Sequence, residues 1–505
     1  MEGQGKNEGE EVLLSPGAQL LAEVKDGKQL EERLVRECCD WALCHGLVMG
    51  AAPALVSAAA QGAQLYTHAP FSLFPSPVPR HCFEQAQALA TDFNLLVHRV
   101  SQRHSFLFEG LRSASEADPF TGRLVQLLRQ IQEEGGRPQD IELGLHRSDY
   151  MFHVRPEDGT IALQQVELNT ISAAFAGLSS KVSQMHSFVI NKIDAFGKAY
   201  KGYELPHNDA AEVMVSGFAN AVKLYGNSQA VVMMVVQPDE RNTADQRCME
   251  YILWKRYGIH MIRRSLADIQ QRGAIDPTTK ALTIDGKEIA VVYYRAGYTP
   301  KDYPTEKEWE ARTMVERSKA VCCPSVAYHL VGTKKVQQLL SKPGLLAQFF
   351  DKEDQEESAR MERLLACFTR LYSLDEDEEG DQAAQLALNN PDDFVMKPQR
   401  EGGGNNIYNE EVRKALQTFT PKERRAYILM ERIRPKPFQT YSCKAGVPSC
   451  VTAISELGIY SVWLSRSEEV VMNQKAGHLL RTKVASDNEG GVAAGFAFLD
   501  SPCLV

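Results

Sequence analysis

Residues 397–408 read KPQREGGGNNIY, so Lys397 is followed by Glu401 and three consecutive glycines, Gly402, Gly403 and Gly404. Glycines let backbone N–H groups approach an anion without a Cβ in the way, and successive N–H groups form a nest of partial positive charge. A lysine beside such a loop adds a full charge for phosphate oxygens. A carboxylate and amide oxygens beside it suit Mg2+. The segment is not the GxxxxGK[ST] phosphate loop, which the chain lacks. Two readings stand: a plain turn, or a phosphate site built on Lys397, Glu401 and Asn406. A second segment, 165–174 (QVELNTISAA), has Glu167 and Asn169 two residues apart, hence on one side of a strand. They suit Mg2+ together with Glu401, or a solvent-facing strand edge. In the third, 477–483 (GHLLRTK), Arg481 and Lys483 share a face if extended, and the small-residue run EGGVAAG follows at 489–495. Two cations there suit a carboxylate or phosphate, or are surface charge.

Other chemistries lack their residues. There is no CxxC, HExxH or GxSxG, and the 12 histidines do not cluster. His478 reads as a hydrogen-bonded structural residue. The neighbours Cys38–Cys39 and Cys322–Cys323 are too close for ordinary disulfides and lack metal spacing. Zinc chemistry and a Ser or Cys nucleophile are therefore disfavoured. The 11 scattered cysteines fit free thiols in a reducing cytosol. A charge sum of 56 − 65 = −9 argues against a nucleic-acid partner.

Elements must position these residues. At about 150 residues per domain, 505 residues give roughly three domains or one large composite. Residues 1–27 read as a leader, flexible and variable. From Gln29, Leu30, Leu34, Cys38 and Trp41 follow helical spacing. The run 70–79 (PFSLFPSPVP) must be extended, and helical patterns cover 83–109 and 120–133. Between 228 and 331, strands at 230–236, 259–262 and 289–294 alternate with a helix at 244–257, the pattern of a parallel α/β unit. Ligands of such sheets bind beyond the carboxyl ends of the strands, which here means 237–246 and 295–298. The acidic runs 351–360 and 375–381 read as solvated loops, because clustered like charges repel. Strands are expected at 394–396 and 426–430, with further segments at 451–460, 477–483 and 490–500. No segment reads as a membrane span. The uncharged stretch 43–66 is Ala-rich and interrupted by Pro53 and several glycines. The acidic, polar N-terminus lacks secretory or transit character, so a cytosolic location is expected.

Taken together, these segments resemble the eukaryotic-type glutathione synthetases. The landmarks are PFSLFPSPVP, DFNLLV (92–97), GLHRSDYMF (144–152), QVELNTISAAF (165–175), ERNTADQR (240–247), VVYYRAGY (291–298), GTKKVQQ (332–338), KPQREGGGNNIY, YILME (427–431), ISELGIY (454–460), GHLLRTK and EGGVAAGFAFLD. They run in order over nearly the whole chain from about Gln29. The resemblance implies an α/β ATP-grasp fold, with ATP between two antiparallel sheets, an inserted parallel α/β substrate domain and a Gly-rich lid. The implied layout is a leader at 1–27, the N-terminal part of the body at 28–227, the insert at 228–331, and the lid and C-terminal site loops at 332–505. It also implies a cytosolic homodimer and an ATP-dependent ligase joining γ-glutamylcysteine to glycine through an acyl phosphate, with two Mg2+ ions per site.

The residue roles follow from the same resemblance. Glu167, Asn169 and Glu401 match magnesium ligands. Lys334 and Lys397 match phosphate lysines. Gly402, Gly403, Gly404, Asn405, Asn406 and Tyr408 form the nucleotide loop. Met430, Glu431, Arg432 and Ile433 match the adenine side, with Glu456, Lys483 and Glu489 as further ATP contacts. Glu240, Arg241, Asn242, Gln246, Arg295 and Tyr298 match dipeptide contacts, at the two strand ends singled out above. Arg147, Ser172 and Arg481 line the reacting end, flanked by Val492 and Ala493. With Lys334 and Lys397, Arg147 and Arg481 are the expected catalytic groups. Three positions depart from the family pattern. Ala174 replaces a substrate-contacting serine, a lost hydrogen bond of about 0.5–1.5 kcal/mol. Glu489 replaces an aspartate, and Ala296 replaces an acid. The pair Ala493–Ala494 points to glycine rather than β-alanine as acceptor. Two rivals remain open: a related ligase with a changed acceptor or dipeptide, and a non-catalytic nucleotide- or dipeptide-binding paralogue.

Overall fold

The three longest strands, Ile141–Val154, Val447–Arg466 and Glu469–Val484, lie side by side and antiparallel at the centre of an eight-stranded sheet. The structure is a computed structural model that describes residues 13–24, 26–51, 65–399, 404–488, 490–492 and 495–505. Beyond the central strands the sheet runs outward to Ile161–Asn169 on one side. On the other it passes through Ala497–Asp500, Phe71–Ser72 and Phe438–Lys444 to Leu13–Leu14.

Alternation along the strands feeds two cores. Leu457, Ile459 and Trp463 join the cluster that contains Leu89 and Phe93 of helix Arg80–Gln102. Tyr460, Val462 and Leu464 join the opposite cluster, with Met214 and Val215 of helix Ala210–Tyr225. Successive side chains of a strand point to opposite faces, so a sheet covered on both sides needs apolar residues in both sets.

The α/β unit between 228 and 331 is present. Strands Met261–Arg264, Val231–Val235, Lys287–Tyr294 and Val321–Cys323 are parallel, and an antiparallel hairpin, Gly273–Ile275 with Leu282–Ile284, extends one edge. A third, wholly antiparallel sheet comprises Leu371–Ser373, Tyr427–Glu431, Phe394–Pro398 and Ile407–Tyr408. It has its own small core, including Leu374, Phe394, Met396, Val412 and Leu429.

Four expectations need correction. Ordered chain begins before residue 28: Leu13–Leu14 pairs with Phe438 and Gln439, and helix Pro16–Glu23 starts at Ser15, whose side chain caps Ala18. The acidic runs are only partly loops. Asp354 and Asp377 cap the helices Gln355–Cys367 and Glu378–Asn389, and acids fill both first turns. There the helix N-terminus attracts negative charge, which outweighs mutual repulsion. The helical pattern of 83–109 breaks at Arg103, with a second helix at His104–Gly110. Within 490–500 the strand is limited to Ala497–Asp500.

Candidate active site

Strand register assembles one polar face on the large sheet. Arg147 pairs with Asn169 and Asp149 with Glu167. Asp149 also lies opposite Gly458, and Glu456 opposite Arg481. Buried Asp149 is the hub. It accepts from Arg147 Nε at 2.6 Å and Nη2 at 2.8 Å, from Arg481 Nη2 at 3.0 Å, and from Asn169 Nδ2 at 3.0 Å. Arg481 makes a second ion pair with Glu456. Gly458 leaves room for the hub: a Cβ there would stand 2.6 Å from Asp149 Oδ1 and 2.8 Å from Arg147 Cδ. Burial opposes ionisation of Arg147 and Arg481, but Asp149 beside Arg147, and Glu456 with Asp149 beside Arg481, hold both guanidiniums above their ordinary range.

Two lysines reach the same face from other elements. Lys334 opens helix Lys334–Leu340, and its Nζ lies 3.0 Å from Glu167 Oε2. Lys397 comes from Phe394–Pro398 of the smaller antiparallel sheet and donates to the Val166 carbonyl at 2.8 Å. Gln337 pins the strand between them, accepting from Leu168 N–H at 3.1 Å and donating back to Leu168 O at 3.3 Å. Burial raises the Glu167 carboxyl pKa, but Lys334, Lys397 and Arg481 together hold it well below the usual carboxylate range. Glu167 is thus an ionised oxygen donor at neutral pH. Asn169 spends its Nδ2 on Asp149 and on the Arg147 carbonyl, at 3.2 Å for the latter, which leaves Oδ1 as its outward atom. A carboxylate and an amide oxygen side by side fit a hard dication such as Mg2+.

The loop after Asn169 links this face to the α/β unit. Ser172 and Phe175 adopt positive φ, 53° and 74°. Asp245 holds the turn, accepting from the N–H groups of Phe175 and Gly177 at 2.8 Å each. The Ala174 carbonyl accepts from Arg147 Nη1 at 3.2 Å and from the Tyr460 hydroxyl. Ser172 Oγ donates to Tyr294 O at 3.2 Å, one residue before Arg295. Arg295 is buried 3.4 Å from Asp245, and its Nε and Nη1 have no hydrogen-bond partner among the described residues. Glu240 accepts from Asn242 N–H at 2.6 Å and from Gln246 Nε2 at 2.8 Å. The Tyr298 N–H donates to Asp302 at 3.1 Å. Arg241 instead turns to the Gly50 carbonyl at 3.3 Å. A cavity of about 570 Å³ opens at these strand ends, lined by Glu240, Gln237, Arg247 and Arg263 among others. Asn242 and Gln246 are buried rather than lining it.

A second cavity, about 520 Å³, lies at the edge of the smaller sheet and includes Asn409, Arg432, Ile433 and Ile454 in its wall. Arg432 donates to the side chains of Asn409 and Asn488, the latter at 3.3 Å, and Lys483 Nζ donates to Asn488 O at 2.6 Å. Asn406 Nδ2 donates to the Tyr408 hydroxyl at 3.1 Å. Met430 is buried, whereas the Glu431 carboxylate accepts from Tyr372 OH at 3.0 Å on the neighbouring strand. Gly404 and Asn405 are exposed, and Val492 is buried. Glu401, Gly402, Gly403, Glu489 and the pair Ala493–Ala494 lie outside the described residues.

The structure therefore brings Arg147, Glu167, Asn169, Lys334, Lys397, Glu456 and Arg481 together, and joins Ser172 to Arg295. It adds Asp149, Asp245, Gln337 and Tyr460. Asp149 stands two residues from Arg147, so strand alternation alone places it on that face. Asp245 stands inside ERNTADQR. His478 is structural, but not through its ring. Both ring nitrogens lack a hydrogen-bond partner among the described residues, and the ring packs edge-on against Phe83 at 5.4 Å. Burial, the larger cause, with His207 pushes its pKa down to about 3.

A family model described as eukaryotic glutathione synthase, ATP binding domain, matches residues 28–504. The glutathione synthetase of Xenopus laevis is 45% identical over 493 residues, covering 97% of this chain and 100% of its own. The Homo sapiens glutathione synthetase is 46% identical over 481 residues, covering 95% and 98%. The chloroplastic glutathione synthetase of Arabidopsis thaliana is 42% identical over 479 residues, covering 94% and 85%. Among solved structures, the apo form of a glutathione synthetase-like effector from Globodera pallida superposes with a TM-score of 0.73 over 94% of this chain and 97% of that one, at 23% identity. That likeness shows the fold.

Proposed function

The chain belongs to the eukaryotic glutathione synthetase family of ATP-dependent ligases with the ATP-grasp fold, and on that premise we propose how its residues divide the work. The enzyme is a glutathione synthetase, which joins γ-glutamylcysteine to glycine. A carboxylate does not condense with an amine at neutral pH, because hydroxide leaves poorly. The γ-phosphoryl group of ATP therefore moves to the cysteinyl carboxylate, the glycine amine attacks the acyl phosphate, and phosphate leaves with ADP as the other product. Charge builds on the transferred and attacked oxygens, so fixed cations supply most of the stabilisation.

Lys334 and Lys397 take the nucleotide phosphates, while Arg147 and Arg481 take the peptide carboxylate and the oxygen charge that develops on it. Glu167 and Asn169, with Glu401, hold Mg2+, two ions per site. Bound there, magnesium neutralises phosphate charge. Arg295, whose Nε and Nη1 have no hydrogen-bond partner among the described residues, anchors the far carboxylate of the dipeptide. Ser172, Glu240, Arg241, Asn242, Gln246 and Tyr298 complete that subsite. Val492 and Ala493 border the acceptor, and Ala493–Ala494 favours glycine over β-alanine. Met430 to Ile433, Asn406, Tyr408, Glu456, Lys483 and Glu489 hold the nucleotide under the Gly402–Gly404 lid, which keeps water from the acyl phosphate. The four-part layout at 1–27, 28–227, 228–331 and 332–505, a homodimer and a cytosolic location complete the reading.

The observation that carries this reading is the meeting of four cations, from four separated parts of the chain, around Asp149 and Glu167. It is tested by incubating the protein with ATP, Mg2+, γ-glutamylcysteine and glycine. The expected result is one tripeptide, identified by mass, per ADP, and no product in EDTA. Tripeptide without ADP, or unchanged rates in EDTA, would overturn it.

A further inference from the structure

Cys39 stands on helix Gly27–His45, and Cys443 near the end of strand Phe438–Lys444, 404 residues away. Their sulfurs lie 3.9 Å apart. All eleven cysteines are free thiols. His68 completes a cluster whose ligand atoms lie within 4.8 Å of one another.

Such a cluster has two chemical outlets, a soft metal ion or a sulfur–sulfur bond. The imidazole decides between them. His68 Nδ1–H donates to the Ala69 carbonyl at 2.9 Å, and Nε2 accepts from the Gly446 N–H at 2.8 Å. Both ring nitrogens are engaged, so a metal would have to displace a backbone hydrogen bond to gain a third ligand, and structural zinc uses four. The two thiols need only approach each other.

We propose that Cys39 and Cys443 form a thiol–disulfide exchange site, which a small disulfide of the oxidised-glutathione class converts into an intrachain bond. The hydrogen bond from Cys443 is the largest influence on Cys39 and lowers that thiol against the opposing effect of burial. Cys443 is correspondingly pushed up and keeps the shared proton. Cys39 is half-buried, whereas its neighbour Cys38 is buried, and burial pushes its thiol up. The reactive thiolate is therefore singled out between adjacent cysteines, beside a second thiol able to resolve it. In the first step the Cys39 thiolate attacks one sulfur of the small disulfide and expels one small thiolate, leaving a mixed disulfide. Cys443 then gives up its proton and attacks the Cys39 sulfur, and the second small thiolate leaves. Starting as one thiolate and one thiol, the pair loses two electrons and one proton, and the small disulfide becomes one thiol and one thiolate, which takes its proton from water.

None of Cys39, His68 and Cys443 is among the ligase residues, and the proposal rests on no part of their assignment. It is tested on the full-length protein, purified reduced, exposed to oxidised glutathione at pH 7 and alkylated before peptide mapping. A linked peptide pair containing Cys39 and Cys443, with two fewer free thiols than the eleven, is the expected result. Cys443→Ser should leave Cys39 trapped as the mixed disulfide. Alkylation of both thiols after treatment, or a linked pair that omits either cysteine, would overturn the proposal. So would a cobalt(II)-thiolate absorption band that appears at one equivalent of metal and is lost in Cys39→Ser.

Discussion

Asp149 offers the sharpest test of the polar face. It is buried and shared by two guanidiniums and one amide, in four hydrogen bonds between 2.6 and 3.0 Å. Asp149→Asn keeps the shape but removes the charge, and its amide nitrogen must then face a cation. Removing one partner of a buried ion pair costs about 3–5 kcal/mol, because the remaining charge is left uncompensated. Here Arg147 loses its carboxylate partner while Arg481 keeps Glu456, and the structure relieves the uncompensated charge by moving Arg147 off the sheet. Loss of one well-aimed donor to a reacting oxygen costs about 10²–10³ in turnover. Steady-state ADP release, with each substrate varied in turn, should show kcat reduced by about that factor and the KM for ATP changed far less. Thermal unfolding of the same sample separates lost positioning from lost fold. Gly458→Ala reaches the same hub by a different route, since its Cβ would be 2.6 Å from Asp149 Oδ1. It should lower turnover without removing any charge. If both variants stay within about twofold of wild type, the two arginines do not depend on Asp149, and the roles given to them fail.

The other expectations are narrower. Arg295→Ala should raise the KM for γ-glutamylcysteine while leaving that for ATP nearly unchanged, measured by the same assay; equal effects on both would remove Arg295 from the dipeptide subsite. Glu167→Gln should cut kcat by about 10²-fold or more and raise the Mg2+ concentration needed for half-maximal rate, and an unshifted magnesium titration would take Glu167 out of the metal site. Asp500 supplies a pH test. Burial, against hydrogen bonds from Ser76, Thr482 and the Ser501 N–H, raises its carboxyl to about 7. The unfolded chain releases this proton near pH 4 and the folded chain near 7, so Asp500 costs stability as pH rises through that window, by at most about 1.4 kcal/mol per pH unit. Melting temperatures of Asp500→Asn should show a less negative dependence on pH between 4 and 7 than wild type; parallel curves would show that Asp500 ionises normally.

What could be read from residues alone was whatever chemistry is local. Two residues in three positions of a strand share a face, which placed Glu167 beside Asn169, and the register with Arg147 and Asp149 then followed in the folded protein. Strand, helix and strand between 228 and 331 pointed to 237–246 and 295–298, and Glu240 and Arg295 do stand at those strand ends. Alternation also carried Asp149, but its importance depends on Gly458 opposite, and no periodicity shows which distant strand will pair. Helix caps escape the charge pattern for a different reason. Within 375–381 like charges repel, but the field of the helix that begins at Glu378 outweighs that repulsion. The cysteines make the same point most plainly. Spacing along the chain shows adjacent cysteines and no CxxC, yet the sulfurs in contact come from a helix near one end and a strand near the other. Side chains that act through a neighbour in sequence leave a motif. Those that act through a neighbour in space leave none until the fold is known, and Asp149, Tyr460 and the Cys39–Cys443 pair all belong to that second kind.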